Sequence, residues 1–261
     1  MSMDTGVLHG MTIGVTVLAA LACGLILTAT PQVWINDSAH LQRWQGSRWA
    51  RGPGPMLGGL VIAAVAALVF TLTVIAPLET GWSAHAPLSG ETFAPDQPNS
   101  ADRIASALLL GVVSGATPFL ITADVIVRRL PDRINIPLSL VALALIITGS
   151  VFGNLTMWFS SFFSGLVALA FFTALHLLGR VLRARTMGLG DVKLAFIVFA
   201  VAGLFDLWAP ALVLVVMMLI AGIWALIGAV RARRIRGVTI AFGPAMLSGM
   251  WLGCLFAPIL L

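Results

Sequence analysis

The stretch Ile134–Gly179, INIPLSLVALALIITGSVFGNLTMWFSSFFSGLVALAFFTALHLLG, contains no charged residue. A helix that crosses the hydrocarbon core of a bilayer needs about 20 consecutive apolar residues, so this run is long enough for two. Gly153 and Asn154 form a turn-favouring pair near its middle, and the run reads as a helical hairpin that reverses there. Working outward, charge-free runs recur at Met11–Ala29, Pro55–Leu78, Ile104–Ala123, Leu207–Val230 and Gly237–Leu261. A shorter one, Leu194–Phe205, reaches spanning length only if its helix begins near Gly190 and Lys193 snorkels at the membrane edge. The expected fold is therefore all-α, a polytopic transmembrane helical bundle of about eight spans.

Composition points the same way. Of the 261 residues, 59% are hydrophobic and only 10% are charged, whereas soluble domains carry about 25% charged residues. Tyrosine is absent, and the two cysteines, Cys23 and Cys254, both fall inside expected spans. They offer neither a disulfide framework nor a metal set, and no CxxC motif occurs. Residues 1–10 carry no positive charge, so the first apolar run is expected to be an uncleaved span and not a signal peptide.

The basic residues orient the chain. With the N-terminus placed outside, the inner loops hold Arg43, Arg48 and Arg51, then Arg128, Arg129 and Arg133. The next two hold Arg180, Arg183, Arg185 and Lys193, then Arg231, Arg233, Arg234 and Arg236, and Arg103 is left on the outer side. This bias predicts that both termini lie outside. It also accounts for the net charge of +5 through attraction to the anionic inner leaflet, with lipid as the partner and no nucleic acid implied.

The polar loop 30–54 carries Trp34, Trp44 and Trp49, which are expected at the headgroup level. The loop 79–103, rich in Pro, Ser, Gly and acid, reads as a flexible outer connection. It divides the chain into a two-span region, 1–103, and a six-span region, 104–261. GVVSG at 111–115 is a small-xxx-small pattern that suits close helix packing.

Ten residues are acidic, and only Asp37, Asp124, Asp132 and Asp191 fall on the inner side. Asp124 ends a span in LITADVIVRRLPDRINIPL, and Asp191 opens one in TMGLGDVKL. An aspartate at the bilayer centre costs about 2.5–3.5 kcal/mol on insertion scales, less at the edge. An arbitrary aspartate at a helix end is most often solvated or paired with a neighbour, here Arg128, Arg129 or Lys193. The surroundings of these two argue for more. Gly188 and Gly190 flank Leu189, leaving the backbone before Asp191 bare and free to adopt unusual dihedrals. A late-starting helix at membrane depth is tolerated where it lines a wet cavity. Two carboxylates facing such a cavity can share a proton, one acting as base toward water and the other as acid.

These segments resemble a known family. MGLGDVKL is similar to the GxGD-plus-Lys segment of type IV prepilin peptidases, and Asp124, six residues, then Pro131-Asp132 is similar to their other active-site segment. IAFGPAM at 240–246 looks like their FGP segment at the start of the last span. The resemblance covers about 104–261 and implies a membrane aspartic endopeptidase with Asp124 and Asp191 as the catalytic pair. It implies that Gly188, Gly190, Lys193, Pro131, Asp132, Gly243 and Pro244 shape the site or contact substrate, with Asp132 capping the next helix or meeting a basic leader. No cofactor or metal is implied. The implied substrates are prepilin-like proteins, with a basic leader and a hydrophobic helix, cut at the cytoplasmic edge of the plasma membrane. Larger members carry paired CxxC motifs associated with N-methylation; this chain has none and resembles the shorter peptidase-only members, such as those serving Flp-type pili. The alternatives are a preflagellin-type or other GxGD intramembrane protease, or a non-catalytic membrane scaffold or transporter.

Overall fold

Helices form where the charge-free runs lie. The structure, a computed structural model, describes residues 5–29, 31, 35, 38–47, 56–65, 84–85, 92–93, 98–182, 188–232 and 241–260. Outside these lie residues 66–78 of the second run, Trp34, Trp49, Asp37, Arg48, Arg51, Arg183, Arg185, Arg233, Arg234 and Arg236, as well as Met187 and Ile240 at the ends of two motifs.

The elements in chain order are α1 Thr5–Ala29, α2 Ser38–Gly46, α3 Met56–Val65, β1 Ala84–His85, β2 Thr92–Phe93, α4 Ser100–Val127, α5 Asp132–Phe152, α6 Leu155–Val181, α7 Leu189–Ala202, α8 Ala209–Ala232 and α9 Gly243–Leu260. β1 and β2 pair antiparallel over two residues each, and everything else regular among the described residues is helical. Helices α1, α4, α5, α6 and α8 are long and apolar enough to cross a membrane. Among the described residues, each of the three remaining expected spans also contains a helical segment, Met56–Val65 in α3, the 14-residue α7 and Gly243–Ala257 in α9.

The hairpin reverses where expected. α5 ends at Phe152 and α6 starts at Leu155, with the Asn154 side chain accepting from the Thr156 and Met157 N–H groups. The third span begins earlier than Ile104, at Ser100, because Asn99 and Asp102 form a reciprocal capping box. Asp102 is consequently not part of a flexible loop; it is 1% exposed. Its Oδ1 accepts from the Asn154 N–H and the Trp158 indole N–H, each at 2.7 Å, and its Oδ2 accepts from the Asn99 N–H at 2.9 Å. Asn99 Nδ2 also donates to the Phe152 carbonyl at 2.9 Å. One carboxylate therefore ties the start of α4 to the turn between α5 and α6. Gly149 and Gly153 leave the space that the Trp158 ring and this carboxylate occupy.

The 14-residue α7 is about 21 Å long, short of the roughly 30 Å hydrocarbon core. Nine of its residues, from Val192 to Ala202, are buried, so it is a core helix screened from lipid by its neighbours. Ser161 of α6 donates to the Ala200 carbonyl at 2.7 Å, and a Cβ on Gly165 would lie 2.8 Å from the Phe196 carbonyl. α8 and α9 pack as closely: a Cβ on Gly249 or Gly253 would lie 2.6 Å from Met217 or 2.5 Å from Val213.

The small-xxx-small pattern has a partner. Gly111 and Gly115 of α4 face α1, where added Cβ atoms would meet the Thr12 and Thr16 carbonyls at 2.9 and 2.5 Å. Thr16 donates from its hydroxyl to the Gly111 carbonyl at 3.1 Å. Residues 12 and 16 match 111 and 115 in ascending order, so α1 runs parallel to α4, packed along the helix that carries Asp124. Trp44 of α2, 2% exposed, inserts beside Phe119 and Thr122 of α4 and Leu27 of α1.

Candidate active site

α4 extends one turn past the expected Ala123, to Val127, which places Asp124 inside its last turn. The chain then reverses within four residues. Arg128 takes the left-handed conformation (φ 55°, ψ 39°), and its N–H donates to the Asp124 carbonyl at 2.8 Å. Leu130 and Pro131 are buried, and Pro131 is the N-cap of α5. Asp132 is thus the first residue of α5, and no side chain caps that end. The carboxylate of Asp132 instead pairs with Lys193 of α7 at 2.7 Å, the two side chains being 60% and 38% exposed.

Asp124 is 4% exposed. Its Oδ2 accepts from the Gly243 N–H at 2.9 Å, so the first residue of α9 presents an otherwise orphaned helix-terminal donor to it. A Cβ on Gly243 would lie 2.9 Å from that oxygen. The FGP segment therefore has glycine at its centre because a carboxylate from another helix lies against its backbone. Pro244 follows in the first turn, where its missing N–H costs nothing.

Asp191, half-buried, stands in the first turn of α7, and its Oδ2 accepts from the Gly188 N–H at 3.1 Å. Gly188 is extended (φ −73°, ψ 155°), and neither Gly188 nor Gly190 has a left-handed φ. The expectation of unusual dihedrals here is corrected. Gly190 is required for space: a Cβ there would lie 2.9 Å from the Leu130 Cβ. Leu130 also reaches within 3.4 Å of the position of a Gly243 Cβ, so one leucine side chain sits between the GxGD turn and the FGP turn. Asn135 adds a second tie, donating from Nδ2 to the Gly190 carbonyl at 2.8 Å.

The end of α4, the starts of α5, α7 and α9, and the loop between α4 and α5 thus meet at one end of the bundle. Asp191 is near enough to Asp124 for their charges to repel, whereas the Arg128 guanidinium attracts the Asp124 carboxylate. Asp124 with Gly243, and Asp191 with Gly188 and Gly190, are brought together across Leu130; Asp132 and Lys193 close the exposed flank. Sequence reasoning had no role for Leu130 or Asn135. A polar residue in the first turn of an otherwise apolar run was the available signal for Asn135, and Leu130 gave none.

The assembly is that of a polytopic helical membrane protein with two carboxylates brought together at one end of its bundle. Residues 109–230 match the type IV leader peptidase family, a peptidase family, which bears out the resemblance read from the three motifs. The match takes in Asp124, Pro131-Asp132 and the GxGD segment, while the FGP segment lies beyond it and is joined to them by the Asp124–Gly243 hydrogen bond. Comparisons with curated proteins and with solved structures give no match.

Proposed function

We propose that the protein is an aspartic endopeptidase that removes the basic leader from prepilin-like substrates, of the Flp type, at the cytoplasmic edge of the plasma membrane. The observation that carries this reading is the approach of Asp124 and Asp191, 67 residues apart in sequence, at the end of the bundle where Leu130 lies between Gly190, which precedes Asp191, and Gly243, whose N–H holds Asp124. Each carboxylate keeps one oxygen on a main-chain N–H at a helix start and has a second oxygen for chemistry.

In the proposed reaction one carboxylate takes a proton from water as its oxygen attacks the scissile carbonyl. The other, protonated, donates to the carbonyl oxygen, giving a tetrahedral diol. As the diol collapses and the C–N bond breaks, the second carboxylate takes back a proton from a diol hydroxyl, leaving the new carboxyl group, and the proton gained by the first carboxylate passes to the leaving amine. The pair ends with its original proton count and behaves as one titrating unit. In this reading Asp132 meets the basic leader in competition with Lys193, a role supported by the exposure of that ion pair.

Co-expression with a prepilin tests the reading. Asp124→Asn and Asp191→Asn are each expected to leave the precursor uncut on a mobility blot. Full processing by either variant would sink the proposal.

A further inference from the structure

Asn135 is fully buried one turn into α5, between the two segments that carry the aspartates. Its Nδ2 donates to the carbonyl of Gly190, the residue immediately before Asp191. That acceptor fixes the orientation of the amide, because only the NH2 group can face a carbonyl. Oδ1 accordingly points elsewhere, and it accepts from no donor among the described residues. Leaving a buried polar atom unpaired costs about 1–3 kcal/mol, a cost that an aliphatic side chain of similar size avoids. For stability alone, asparagine is a poor choice at this position.

We propose that Asn135 is a positioning residue of the active site, holding the Gly190 carbonyl so that the main chain aims the Asp191 carboxylate at Asp124. Leu130 packs against the same glycine, so Gly190 is fixed by a hydrogen bond and by contact. Gly188 secures one oxygen of Asp191, and Asn135 secures the backbone from which that side chain projects. The inference rests on the reading of Asp124 and Asp191 as the catalytic pair.

The test uses the full chain in lipid nanodiscs with a synthetic polypeptide carrying a basic leader and a hydrophobic helix. Asn135→Leu is expected to melt no lower than the parent. Its kcat is expected to fall about 10- to 100-fold, since small misplacements of a reacting group cost rates of that order, with KM within about twofold of the parent. Asn135→Asp loses the donor when ionised and regains one when protonated. The ratio of its kcat to the parent's is therefore expected to rise as pH falls, while the same ratio for Asn135→Leu stays flat. Parental kcat in Asn135→Leu would overturn the inference. So would a loss that merely tracks a lower melting temperature, with no acid recovery in Asn135→Asp. Asp124→Asn and Asp191→Asn in the same assay separate the two levels. If both are inactive while Asn135→Leu cuts normally, only the positioning role fails; if both still cut, the catalytic pair fails and the positioning role with it.

Discussion

Gly243 touches the proposed chemistry most directly without taking part in it. A methyl group there meets the Asp124 Oδ2 at 2.9 Å, and the least costly adjustment is for the carboxylate to swing away. Gly243→Ala is therefore expected to cost activity and not fold: about a hundredfold in kcat, with the melting temperature little changed. Parental turnover would show that Asp124 is not held as described. Asp102 is its counterpart at the far end, buried and accepting three hydrogen bonds. Asp102→Ala removes all three and is expected to cost about 3 kcal/mol or more, read as a lower melting temperature in detergent. The two buried aspartates on α4 thus differ in kind. The sequence distinguished Asp124 by its spacing to Pro131-Asp132. It did not reveal Asp102, whose partners Asn154 and Trp158 lie 52 and 56 positions away and whose own N-x-x-D cap was absorbed into a loop.

At the scale of elements, α7 accounts for the one span whose length looked inadequate. It need not match the bilayer, because α5, α6, α8 and α9 surround it, and its two ends are reserved for a carboxylate and a tight turn at Gly203. Its link to α5 through Lys193 and Asp132 is exposed and contributes at most about 1 kcal/mol, which leaves it free to exchange partners. Asp132→Asn is expected to raise KM for a leader-bearing substrate several-fold and flatten its salt dependence, with kcat unchanged. Lys193→Ala is expected to shift KM the opposite way. Equal KM values in both variants would remove Asp132 from substrate recognition. The α1–α4 contact is different, close and dry. Gly115→Leu is expected to lower the melting temperature, because the Thr16 carbonyl and Ala19 Cβ already lie where the side chain would go. GVVSG showed that close packing was intended, but a pattern on one helix does not name its partner.

Over the whole molecule, the end that holds Asp124 and Asp191 also holds Arg128, Arg129, Arg133, Lys193 and the last turns of α6 and α8, with Arg180 and Arg231. The arginine distribution predicts that this end faces the cytoplasm. Cys23 and Cys254 are buried, so single cysteines can report topology. Arg129→Cys, exposed at the site end, is expected to react with a membrane-impermeant maleimide only in inverted vesicles. Ser100→Cys, exposed at the other end, is expected to react only in intact cells. The reverse pattern would place Asp124 and Asp191 outside. Most of the helices were legible because membrane insertion imposes long charge-free runs. The contacts that assemble the site were less legible, since Asn135–Gly190, Leu130–Gly190 and Asp124–Gly243 each join segments that no local pattern relates.

The Asp102 knot has a mechanical consequence. It pins α4, α5 and α6 together at one end, about 33 Å along α4 from Asp124. Helices joined in this way are levers with a shared pivot. A tilt of roughly 5° about that knot changes little locally, yet sweeps the far tip through about 3 Å over that length. Flexing of the bundle is thus magnified where the two carboxylates meet, and damped where the indole of Trp158 is bound.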